Sequence, residues 1–275
     1  METIPLPSYE VVPLDHIAPG VKGVRILFVN VYAISGSDEG WTLIDSGLHF
    51  SQAKIKGWIS EQFGTGAKPQ AIILTHGHFD HVGTVKDLLD EWNVPVYAHP
   101  NEFPYLTGEV KYPAPDPGVG GGLMAVMSPL YPRTSVDLSN RVQALPPDGS
   151  VPTLPGWQWF HTPGHAPGHV SLFRAEDRVL LPGDAFCTAK QESFLAVVQQ
   201  KPELHGPPAY YTPDWDSARE SVRQLAALRP RTIAPGHGLP ISGKEVADQL
   251  QVLATDFDRI AMPEHGKYVE RATRA

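Results

Sequence analysis

Between an apolar run, Ala71–Leu74, and a helical pattern, the chain reads Thr75-His76-Gly77-His78-Phe79-Asp80-His81-Val82-Gly83. Four side chains able to ligate a metal fall within six residues, at a point where a buried-type strand gives way to a helix. Any fold this sequence adopts must therefore deliver His76, His78, Asp80 and His81 together to a strand end. In an extended turn, side chains alternate with period two, so His76 and His78 point the same way. Asp80 and His81 follow where the chain bends into the helix and can face a second ion. Neutral imidazole and carboxylate are standard ligands for zinc and similar divalent metals. The competing reading, Asp80 as a helix cap and the histidines as exposed loop residues, explains one residue and leaves three histidines idle.

The surrounding pattern predicts an α/β chain. Val24–Ile34, Trp41–Asp45, Ala71–Thr75, Val94–Ala98, Trp157–His161, His169–Phe173, Val179–Leu181 and Thr232–Ala234 read as strands. Ser51–Phe63, His81–Trp92, Asp214–Leu228 and Gly243–Met262 space their apolar residues as amphipathic helices do. Asp214 after Pro213 predicts a helix start, and Arg229-Pro230 its end. With 275 residues and no internal repeat or linker, residues 1–275 are expected to form one domain. From Lys111 to Pro132 the rhythm breaks, and prolines and glycines frame an apolar Leu123–Met127. That stretch reads as a lid hinged at Gly120–Gly122 or as a surface loop, and it could equally serve a homodimer interface.

Composition excludes other classes. Charged residues at 19% beside 41% hydrophobic ones argue against disorder. The net charge of −8, with no basic run, argues against a nucleic-acid partner. No apolar run is long enough for a membrane helix. Cys187 is the single cysteine, so no internal disulfide can form. The first cation after the N-terminus is Lys22, unlike a secretory signal. These features predict a cytoplasmic protein acting on a small molecule.

Three further pieces place ligand-type side chains beside glycine at strand ends, where loops gather and ligands bind in α/β sheets. They are His161-Thr162-Pro163-Gly164-His165-Ala166-Pro167-Gly168-His169, Leu181-Pro182-Gly183-Asp184 and Pro235-Gly236-His237-Gly238. An early motif, Leu43-Ile44-Asp45-Ser46-Gly47, adds a carboxylate in a tight turn. His161 and His169 read as hydrogen-bonded structural residues or as partners that orient a ligand. His16, His49, His99, His205 and His265 match no motif and read as surface or structural.

The order His-x-His-x-Asp-His, His, Asp, His resembles the metallo-β-lactamase-fold hydrolase superfamily over nearly the whole chain. Within it, the chain is glyoxalase II- and lactonase-like, and HTPGHAPGHVSLF, GDAF and PGHGLP are most similar to bacterial metallo-hydrolases of unassigned substrate. The resemblance implies a four-layer αββα sandwich with a dinuclear site at one edge. It implies that His76, His78 and His165 bind a first divalent ion and Asp80, His81 and His237 a second. Asp184 would bridge the two beside a hydroxide, and Asp45 would orient a ligand histidine. Zinc is the foremost metal, with manganese or iron(II) also suited. The reaction implied is attack of the bridging hydroxide on a small ester, lactone or thioester, with Asp80 and Asp184 the catalytic carboxylates. Asp184 argues against a true β-lactamase, Cys187 stands where many acyl-homoserine lactonases carry tyrosine, and 38 residues after His237 are too few for a glutathione-binding domain. The alternatives are a mononuclear iron oxygenase like the persulfide dioxygenases, a β-lactamase-type amide hydrolase, and a non-catalytic binding protein. Phe186, Phe194, Tyr210, Tyr211 and the 111–132 loop are the expected pocket wall.

Overall fold

The computed structural model describes residues 4–5, 10–11, 14–36, 40–134, 136–194 and 203–269. They divide into two compact units, one of residues 14–112 and 132–159, the other of 1–13, 113–131 and 160–275. Both are mixed sheets with helices, the α/β class the periodicities predict.

In the first unit, a six-stranded sheet runs Val21–Ile26, Val29–Ser35, Trp41–Ile44, Ala71–Ile73, Val96–Ala98, Val142–Ala144. The first three strands pair antiparallel and the later pairings are parallel. The single strand expected over Val24–Ile34 is a hairpin. Ile26 pairs with Val29 across a two-residue turn in which Leu27 takes φ 59°. Leucine rarely adopts that region, and no Asn-Gly or Asp-Gly signal marks the turn. The helix Val85–Trp92 buries Val85, Leu88, Leu89 and Trp92, one face at helical spacing. The strand residue Trp41 stacks on Phe63 of the helix Gln52–Phe63 at 4.6 Å and meets Trp92 edge-on at 6.3 Å.

The second helix starts four residues later than expected, and the reason lies in its backbone bonds. Ser46 N donates to His81 O, Gly83 N to Gly47 O, and Thr84 Oγ1 to Ser46 O. Residues 81–84 are thus tied sideways to the Asp45-Ser46-Gly47 turn rather than into a helical ladder. Gly83 permits this, since a Cβ there would sit 2.2 Å from His49 N.

In the second unit, the sheet order is Glu10–Val11, Ile241–Ser242, Thr232–Pro235, Val179–Gly183, Val170–Arg174, Trp157–His161. Val179–Gly183 and Thr232–Pro235 are parallel, joined through the helix Trp215–Ala227. Asp214 caps that helix, accepting from Ser217 N at 3.0 Å, as its position after Pro213 predicts. The helix expected over Gly243–Met262 is two, Val246–Thr255 and Phe257–Ile260. Asp256 separates them: its amide closes the first while its carbonyl accepts from Arg259 N and its carboxylate pairs with Arg259.

The 111–132 stretch is not structureless. It contains short helical pieces at Pro117–Val119, Leu123–Met127 and Ser128–Leu130. Gly120, Gly121 and Gly122 all take positive φ, and side chains at the latter two would strike Glu192 and its neighbour. Leu123, Val126 and Leu130 are exposed. Asp116 anchors the start of the stretch, accepting from Gly118 N and from Lys267 N near the C-terminus.

Candidate metal centre

The ligand run follows Ala71–Ile73 and is buried throughout: His76 0%, His78 4%, Asp80 7% and His81 0% exposed. Its proton positions are set by Asp45, which leaves the strand Trp41–Ile44 with φ 61°, a region aspartate tolerates better than most residues. Asp45 accepts from Thr75 N, Thr75 Oγ1 and His81 Nδ1, each at 2.8 Å. His81 therefore carries its proton on Nδ1, which leaves Nε2 with the lone pair. Thr75 Oγ1 spends its hydrogen on Asp45, so at 3.1 Å it accepts from His76 Nδ1. His76 Nε2 is then also a lone-pair nitrogen, and it lies 3.0 Å from His78 Nδ1. Two nitrogens on one tetrahedral zinc, at bonds of about 2.0–2.1 Å, stand about 3.3 Å apart. The donor set thus fits a divalent cation, with buried imidazoles held in the tautomers that ligation requires.

Three residues of the second unit form a matching group. His165 follows the strand Trp157–His161, while Asp184 and His237 follow the parallel neighbours Val179–Gly183 and Thr232–Pro235. Pairing of Gly183 with Pro235 brings the last two to the same sheet end. All three are buried. Asp184 Oδ2 lies 3.0 Å from His237 Nε2 and 3.5 Å from His165 Nε2, one oxygen facing two imidazoles. Glycines make the approach possible. Gly164 takes φ 131° and a Cβ there would lie 2.5 Å from Ala218 backbone, while one on Gly238 would lie 2.3 Å from Thr188 Oγ1.

His169 holds Asp184 from behind. Asp184 N donates to His169 Nε2 at 2.9 Å, so the His169 proton sits on Nδ1, which donates to Thr162 Oγ1 at 2.9 Å. Thr162 Oγ1 passes its own hydrogen to Ser171 Oγ, and Ser171 Oγ donates to Pro182 O, each at 2.9 Å. Every donor in this relay has one direction. His161 instead donates from Nε2 to Pro167 O and acts structurally.

The remaining histidines divide. His49 bonds Gly83 O, His99 caps Asn101 N, and His16 is exposed beside Asp15. His205 is buried, and burial lowers its pKa from 6.5 to about 4 against the opposing pull of Glu203. Of the expected pocket wall, Phe186 is fully buried core. Tyr210 and Tyr211 pack together and against Tyr131, and Phe194 is exposed. The hydroxyls of Thr75, Thr162 and Ser171 were not anticipated, nor were Glu102 and Tyr112, which bond Gly77 N. Burial foremost, with the Glu102 charge beside it, pushes the Tyr112 phenol well above its usual range. Thr75 and Thr162 adjoin motif residues and could have been suspected. Glu102 and Tyr112 carry no spacing signal.

The family model of the metallo-beta-lactamase superfamily matches residues 24–237, a span containing all seven ligand candidates. A relative from Bacillus subtilis (strain 168), named "Probable metallo-hydrolase YflN", is 49% identical over 245 residues, 88% of this chain and 93% of its own. Among solved structures, TTHA1623 in a di-iron-bound form is 28% identical with a TM-score of 0.55, covering 82% of this chain and 96% of that one. The BLEG-1 B3 metallo-beta-lactamase is 25% identical with a TM-score of 0.57, covering 88% and 98%. On this match the chain belongs to the metallo-beta-lactamase superfamily.

Proposed function

We propose that this protein is a hydrolase of small esters, lactones or thioesters that works with two divalent cations. His76, His78 and His165 would hold one, Asp80, His81 and His237 the other, with Asp184 shared. The observation that carries the reading is Asp184 Oδ2, set toward both His237 Nε2 and His165 Nε2, one nitrogen from each proposed ligand set. Bound cations of this kind supply Lewis acidity toward a carbonyl oxygen and bring the ionisation of water to neutral pH.

The chain's own residues do the positioning. Asp45 keeps the His81 proton on Nδ1, Thr75 does the same for His76, and His169 fixes the backbone of Asp184. Asp80, a buried carboxylate, would take a proton from water and return it to the departing oxygen or sulfur. Zinc is the proposed metal, and the di-iron form of TTHA1623 keeps iron beside it.

Metal analysis with a substrate panel tests this. The panel holds an acyl-homoserine lactone, an aryl ester, an acyl thioester, a β-lactam and a phosphodiester. We expect about two metal ions per chain and hydrolysis of one ester-type class at kcat/KM above about 10⁴ M⁻¹s⁻¹. Asp184→Ala should abolish turnover and lower metal content with the fold retained. Full activity in that variant, or about one iron per chain with no hydrolysis, would overturn the reading.

A further inference from the structure

One buried cluster grips the ligand loop without contributing a ligand. Glu102 ends the short turn Pro100–Glu102, just after the strand Val96–Ala98, and is 0% exposed. Its Oε2 accepts from Gly77 N at 2.8 Å and, in a short hydrogen bond, from the Tyr112 hydroxyl. Gly77 N also lies 3.0 Å from Tyr112 Oη, so two oxygens cradle the amide between His76 and His78. The Tyr112 ring is held from two sides. It stacks on Tyr105 at 4.1 Å and 9°, and it meets the His78 imidazole at 4.3 Å and 59°.

The fit leaves no slack. A Cβ on Gly77 would lie 2.7 Å from Tyr112 Oη, 3.1 Å from Leu106 and 3.3 Å from Glu102 Oε2. The residue between the two histidines is therefore glycine because the loop is pressed onto this cradle. A carboxylate is a costly way to hold one amide, because burying its charge opposes folding and a neutral carbonyl would satisfy the same donor. Its charge is useful where a cation is to be held nearby. Partners behind metal-ligating histidines fix ring orientation and are worth 10- to 100-fold in affinity, roughly.

We propose that Glu102 and Tyr112 are positioning residues that hold the His76-Gly77-His78 loop so that His76 Nε2 and His78 Nδ1 converge on one cation. Glu102 fixes the backbone between the two ligands, and Tyr112 fixes the plane of the His78 ring. This rests on the metal-binding reading above.

The test uses Glu102→Gln, which keeps shape and removes charge, and Tyr112→Phe, which keeps both ring contacts and removes the hydroxyl. Zn²⁺ affinity is measured by competition with a chromophoric chelator, the Co²⁺ adduct by its visible d–d bands, and the metal-free proteins by urea unfolding. Both variants are expected to bind Zn²⁺ about 10- to 100-fold more weakly, with altered Co²⁺ bands. Zn²⁺ affinities within about twofold of wild type and unchanged Co²⁺ bands would overturn the proposal, whatever the urea midpoints. Should Glu102→Gln fail to fold, Tyr112→Phe decides by the same two readouts. A wild-type protein that binds neither Zn²⁺ nor Co²⁺ would refute the metal reading itself, a result distinct from loss of the cradle's role.

Discussion

Replacing Asp45 by asparagine should damage metal binding far more than folding. The carboxylate accepts three hydrogen bonds of 2.8 Å, from Thr75 N, Thr75 Oγ1 and His81 Nδ1. In the variant, the amide oxygen can keep Thr75 N, but its NH₂ then faces the other two donors. The hydroxyl rotates and accepts. The imidazole can accept only by moving its proton from Nδ1 to Nε2. A hydrogen bond to a charged group is worth about 1.5–3 kcal/mol and a neutral one about 0.5–1.5. Exchanging two of the first kind for two of the second costs roughly 1–3 kcal/mol. The Asp45 side chain is only 4% exposed, so little of this is lost to solvent screening. The proton relocated to Nε2 occupies the one nitrogen of His81 left for a cation, so that site should weaken by about 100-fold. Urea unfolding of the metal-free protein measures the first effect and chelator competition the second. Nitrogen-15 NMR of His81 reports the tautomer directly. Two Zn²⁺ sites of wild-type affinity in Asp45→Asn, or an Nδ1-protonated His81 in that variant, would refute this account of the tautomer.

Two other expectations concern stability. His205 takes up a proton near 6.5 in the unfolded chain and only near about 4 when folded. Stability is therefore unaffected above 6.5 and falls as the pH drops from 6.5 to 4, by about 3 kcal/mol from this group. Urea unfolding at pH 7 and pH 4 should show a loss smaller by about that amount in His205→Gln, and equal losses would exclude His205 as the source. Gly164→Ala should destabilise by about 2–6 kcal/mol, summing overpacking and a strained positive φ, because its Cβ would meet the backbone of a helix. A change below about 1 kcal/mol in thermal or urea unfolding would show that the turn relaxes freely.

What could be read from the residues alone follows from how locally each feature is encoded. The ligand candidates were legible because each of their motifs is compact, as in four donors within six residues of Thr75–His81, and because each adjoins a strand of recognisable apolar character. The α/β class followed from the same alternation. What was missed depends on contacts between distant residues. The delayed start of Val85–Trp92 comes from bonds to residues 46 and 47, and the hairpin at Leu27 from a conformation leucine seldom takes. The strand Val142–Ala144 is half-exposed and has no apolar alternation to betray it. Glu102 and Tyr112 lie 25 and 35 residues from the glycine they hold. No motif could have paired them with it.

The discontinuous layout of the two units has a consequence for how the protein is made. Every strand of the unit built from residues 14–112 and 132–159 has been synthesised by the time Val142–Ala144 emerges. The other sheet waits for Thr232–Pro235 and Ile241–Ser242, and only the last of these pairs with Glu10–Val11 at the start of the chain. Domains generally fold as units, N-terminal first, during synthesis at about 5–20 residues per second. The His76–His81 run and its Asp45 partner can thus be in place several seconds before His237 exists. On the ribosome, the first imidazoles would be ordered early, and metal capture by the full ligand set would belong to the end of translation.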